Sequence, residues 1–91
     1  MNESQERYPI EEAEQVIADR VGGGSSVLRL EGVWVEGDEE RPDPDHAADL
    51  GPDGATDLHA ISEAMRQWPR DDGFCVDIVF VRPGSQTRAD R

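Results

Sequence analysis

A chain of 91 residues allows one small domain with a thin core. Its 21 acidic residues face nine arginines and no lysine, for a net charge of −12. That balance speaks against direct nucleic-acid binding and against anionic membrane surfaces, and favours a basic partner or plain solubility.

The missing lysine excludes a phosphate-loop lysine, a Schiff-base lysine and a lysine general base. The one cysteine, Cys75, allows no internal disulfide, so a reducing, cytoplasmic home is expected. No apolar run approaches the roughly 20 residues that span a bilayer. No basic segment followed by an apolar one opens the chain as a signal peptide would.

Residues 1–7 are polar and read as a flexible tail, with the ordered core starting near residue 8. From Pro9 to Val21, Ile10, Ala13, Ile17 and Val21 recur at the period of one helix face. Pro9 suits a first helical turn, and Glu11, Glu12 and Glu14 sit at the positive end of the dipole with Arg20 at the other. Gly22-Gly23-Gly24 stops the helix, with Gly22 the expected left-handed cap. The following Ser25-Ser26 completes a loop that runs from helix to strand. A phosphate cradle needs the opposite order, so a connector is expected.

Val27 to Glu36 reads best as a hairpin turning at Glu31-Gly32, which puts Leu28, Leu30, Val33 and Val35 on one side. Arg29 and Trp34 then face away from the helices. The alternative is one long strand bulged at Gly32.

Residues 37–55 hold three prolines, several glycines and a single large apolar residue, Leu50. They read as a long acidic loop. Glu36 to Asp57 carries nine acids and one arginine, so a net −8 of the chain's −12 is concentrated there. A salt-adapted surface would spread its acidity, which makes local contact the stronger reading. Thr56 is the expected N-cap of a second helix whose stripe is Leu58, Ile61, Met65 and Trp68, ended by Pro69. Phe74 to Arg82 alternates as a strand, with Phe74, Val76, Ile78 and Phe80 on one face and Cys75, Asp77, Val79 and Val81 on the other. Ordered structure is expected over 8–36 and 56–83, with 84–91 a second flexible tail.

The expected fold class is therefore α+β. Two helices pack on a sheet of about three strands in the order α-β-β-α-β, with the acidic loop before the second helix.

The sequence offers three candidate chemistries: a metal site, a reactive thiol and a serine nucleophile. Asp43, Asp45, His46 and His59 form the candidate metal set, with a hydrolase-like use as its extension. Asp49 to Ala60 partly mimics a calcium loop, but Gly51 stands at the third position and Ala60 at the twelfth, where the bidentate carboxylate belongs. Cys75 lies in an apolar strand beside Asp77, a poor setting for a thiolate. No G-x-S-x-G occurs around any serine.

The favoured expectation is a small acidic protein-binding or regulatory module, such as an inhibitor or accessory subunit, with no cofactor and no catalysis. Its contact residues would be Trp34, Asp38, Glu39, Glu40, Asp43, Asp45, Val79 and Val81. Its partner would be a basic protein or a second copy in a homodimer. An uncharacterised structural domain is the remaining reading.

Overall fold

A computed structural model describes residues 3–82. The expected tail at 84–91 lies outside the described residues. The elements run β1 (Glu3–Pro9), α1 (Ile10–Gly22), β2 (Ser26–Glu36), β3 (Glu39–Asp49), α2 (Leu58–Ala64) and β4 (Phe74–Val81). The class is α+β, but the order is β-α-β-β-α-β, and the sheet has four antiparallel strands in the spatial order β1-β4-β2-β3.

The helices form as their apolar period dictates. Ile10, Ala13 and Ile17 of α1 are buried against the sheet. The α1 end is closed by Gly23 N–H bonds to the carbonyls of Asp19 and Arg20, both 3.1 Å. The left-handed residue there is Gly24 (φ +105°) rather than Gly22, because α1 runs one residue further than its apolar stripe. In α2 the cap is Asp57 rather than Thr56. The Asp57 carboxylate accepts from the backbone N–H of His59 at 3.0 Å and Ala60 at 3.4 Å, a better acceptor than a hydroxyl for these orphan donors. The regular helix is short, yet Ile61, Met65 and Trp68 reach the core, whereas Leu58, read as part of the same stripe, is 39% exposed.

The core is the layer between the helices and one sheet face. β4 supplies Phe74, Val76, Ile78 and Phe80, each at most 1% exposed. Opposite them on β2 stand Trp34, Gly32, Leu30 and Val27. That register corrects the hairpin at Glu31-Gly32. β2 is one long strand, and its irregularity at Gly32 is the bulge of the alternative reading. The hairpin turns instead at Gly37-Asp38, where Glu36 pairs with Glu39. Gly37 has φ +60°, a backbone that glycine accepts at the first position of a two-residue turn. Trp34 consequently lies on the helix side of the sheet, not away from it.

Two further corrections concern polar segments. Residues 39–49 are a strand, not part of a loop, and residues 3–9 are a strand, not a tail. Both are outer strands of the sheet, exposed on more than one side, so neither needs an apolar alternation. Pro42 and Pro44 are tolerated because an edge strand does not need every N–H. β1 is held through polar contacts. Glu6 receives a bidentate bond from Arg20 of α1 (2.6 and 2.9 Å) and the Tyr8 hydroxyl (2.5 Å). Arg20 in turn lies 4.9 Å over the Phe80 ring. These bonds hold the Glu6 carboxyl down at about 2.

No helix among the described residues is long and apolar enough to cross a membrane.

Candidate functional site

β2 and β3 fall out of step in the middle of their ladder. Glu31 pairs with Ala47, and the next residue, Gly32, pairs with Asp43. Pro44, Asp45 and His46 are thus left over on β3 and bulge toward α2. Gly32 permits this. A Cβ there would overlap the Phe74 ring and stand 3.2 Å from His46 Cβ.

Around the bulge the side chains form one cluster. The Asp43 carboxylate accepts the Trp34 Nε1–H at 3.0 Å and lies 2.7 Å from His46 Nδ1, both at Oδ2. The Asp45 backbone N–H donates to its other oxygen at 3.2 Å. The bond from His46, then that from Trp34, lowers the Asp43 pKa below the usual carboxylate value. An ionised carboxylate only accepts, so His46 Nδ1 carries the proton. In the neutral ring Nε2 then holds the free lone pair. The Phe74 ring is the hub. Trp34, His46 and Trp68 meet it edge-on, with centroids 4.8, 5.7 and 6.2 Å away. A depression of about 420 Å³ opens beside this cluster, with Asp45 and His46 on the β3 side and Glu63, Arg66, Gln67 and Trp68 on the α2 side. Among the described residues no serine, threonine or cysteine lines it, so it offers no hydroxyl or thiol nucleophile.

The candidate metal set is divided. Asp43 and His46 meet, but His59 is exposed in the first turn of α2. Among the described residues, no three His, Cys, Asp or Glu side chains stand close enough together to hold a metal ion.

The candidate contact residues also separate by location. Asp38 and Glu39 are exposed at the hairpin tip, and Asp45 is exposed on the bulge; among the described residues none of the three has an ion-pair partner. Glu40 is exposed but pairs with Arg7 at 3.0 Å. Asp43 is turned inward on Trp34 and His46. Val79 and Val81 lie half-buried on the sheet face away from the helices.

That open face has its own order. Reading across the four strands, Pro9, Cys75, Val33 and Pro42 form one row, and Arg7, Asp77, Glu31 and Ala47 the next. Arg7 donates from Nε and Nη2 to Asp77 at 2.5 and 3.0 Å while its other nitrogen reaches Glu40. Its arm crosses the sheet from β1 to β3, and Val33 on the same face is left only 2% exposed. Cys75 is half-buried there; desolvation pushes its thiol pKa up, which disfavours the reactive thiolate. The Arg7 bridge escaped a reading along the chain because its partners lie 33 and 70 positions away. Compared with known proteins, the chain matches no family model, no curated protein and no solved structure.

Proposed function

We propose that this protein is a binding or regulatory module that acts by contact with a basic surface of another protein, without chemistry of its own. The observation that carries this reading is that the chain's densest acidity is mounted on a hairpin. β4 begins at Phe74, opposite Trp34, so the β2–β3 hairpin extends past the start of β4. Glu36, Asp38, Glu39 and Glu40 cluster at that tip. A paired strand holds these carboxylates at fixed spacing, which lowers the ordering cost of a contact relative to a free loop. Concentrated charge also steers encounter and raises the association rate at low salt.

The contact is made by side chains rather than by adding a strand. Pro42 and Pro44 remove two N–H donors from β3, and its acids repel a like-charged edge. Both are devices that keep an edge strand from pairing indiscriminately.

The test is affinity capture from a cell extract at low salt with the full chain as bait, alongside a variant carrying Asp38→Asn, Glu39→Gln and Asp45→Asn. The expected result is a basic protein that elutes as salt rises and is not captured by the variant. Equal capture by both baits, or a partner held unchanged in high salt, contradicts the reading.

A further inference from the structure

The proposed contact at the hairpin tip leaves the recess between the β3 bulge and the end of α2 unassigned. Resting on that reading, we infer that this recess receives an arginine side chain of the basic partner, in preference to a lysine.

The polar groups around it are mostly acceptors. His46 Nδ1–H is committed to Asp43, so Nε2 is the ring nitrogen left to accept. Asp45 has no ion-pair partner among the described residues. Glu63 and the Gln67 carbonyl add acceptors from the α2 side. Arg66 is the one arginine lining the recess. Its side chain is 71% exposed and tied to Glu63, three positions back, at 3.2 Å. The Asp43 carboxylate behind His46 adds to Asp45 and Glu63, so three acids stand in or behind the recess against that one guanidinium.

The lining also selects among cations. Its volume of about 420 Å³ admits a whole side chain. His46 and Trp68 both line it and meet edge-on, with centroids 5.9 Å apart, so aromatic surface forms part of the wall. A guanidinium is planar and weakly hydrated. It packs on aromatic rings while its forked N–H donors reach acceptors spread around its plane. An ammonium is compact and strongly hydrated, and gains less from such a wall. An anion meets the three carboxylates. β3 itself leads from the tip acids Glu39 and Glu40 to Asp45 and His46, so one partner surface can touch both places. The recess alone holds a single side chain weakly, with a Kd of roughly millimolar order, so the tip still decides whether a peptide binds at micromolar concentration.

The experiment titrates the isotopically labelled full chain with Nα-acetyl-arginine amide and, separately, Nα-acetyl-lysine amide, which carry the same charge. Backbone amides of His46 and of residues 63–68, with the Trp68 indole N–H, are the readout. Saturable shifts are expected with the arginine probe, and roughly fivefold or weaker affinity with the lysine probe. Asp45→Asn and Glu63→Gln should each weaken the arginine probe by about threefold or more. His46→Phe keeps a ring but removes the acceptor, and should abolish the preference for arginine. Arg66→Gln frees Glu63 and should tighten binding. If His46→Phe fails to fold, the three surface variants decide. Equal affinity for the two probes, no saturable shift at these residues, or weaker binding by Arg66→Gln overturns the inference. Asp38→Asn with Glu39→Gln should leave the probe shifts in place, while capture of a partner by that variant judges the hairpin contact. Either reading can therefore fail without the other.

Discussion

Asp43 and His46 meet at 2.7 Å although they stand three positions apart on one strand. On a regular strand such residues point to opposite faces. The three-residue bulge cancels that alternation and brings the ring back over the carboxylate. The pair is therefore a product of the local register slip, and Trp34 and Phe74 fix it from the sheet side.

Asp43 should be the structural keystone of the bulge. Asp43→Ala leaves the Trp34 Nε1–H and His46 Nδ1–H without their acceptor, whereas Asp43→Asn retains one oxygen. The urea midpoint should fall for both, and further for alanine. The Asp43 pKa is lowered in the fold, so its contribution is present above the ordinary carboxylate value and is lost as pH falls through the folded one. Unfolding followed by tryptophan fluorescence at neutral and acid pH checks both points.

Gly32 is needed for space, since its φ is ordinary. Gly32→Ala forces its methyl into the Phe74 ring, and overpacking of this kind costs about 1–3 kcal/mol. Trimming the obstacle with Phe74→Leu in the same chain should recover part of that loss. Chemical denaturation of the two single variants and the double variant measures the coupling.

Glu6 ties β1 to α1 through Arg20. Its pKa drops from 4.5 to about 2, chiefly through the Arg20 bonds and then the Tyr8 hydroxyl. A depressed acid stabilises the fold above its unfolded value, so this contribution fades as pH falls from about 4.5 to about 2. Glu6→Gln should cost about 1–2 kcal/mol at neutral pH. The gap to the parent chain should close near pH 2. Melts across that interval read it directly.

The hairpin acids should behave in the opposite way. Asp38 and Glu39 have no cation partner among the described residues. Neutralising them should leave stability within about 0.5 kcal/mol of the parent, or raise it by relieving repulsion. The same change should slow association with a basic partner at low salt. Thermal melts and stopped-flow association rates separate the two effects.

The elements that bury an apolar stripe were legible in the sequence: α1 from Ile10, Ala13 and Ile17, α2 from Ile61 and Met65, and β4 from its alternation. β1 and β3 were not, because both are edge strands. Glu3–Pro9 is held by the Glu6–Arg20 pair and Glu39–Asp49 by backbone pairing to β2, so neither carries the apolar signal that marks a half-buried strand. The candidate site was legible only in part. Asp43 and His46 were singled out together as oxygen and nitrogen ligands, yet their shared partner is Trp34. The misplaced turn at Glu31-Gly32 had put that indole on the other face. The turn that forms, Gly37-Asp38, lies inside the charged run and lacks flanking apolar residues on its β3 side.

Recognition of a basic surface is proposed to rest on the acids mounted on the β2–β3 hairpin and not on acidity in general. It is tested most directly by titrating the isotopically labelled chain with an arginine-rich peptide and following backbone amide shifts. α1 provides the internal control, since Glu11 and Glu12 are exposed acids of the same chain. Salt-sensitive shifts concentrated between Glu36 and Asp45, abolished by Asp38→Asn with Glu39→Gln, are expected. Shifts of equal size at Glu11 and Glu12, or shifts that survive those substitutions, would contradict it.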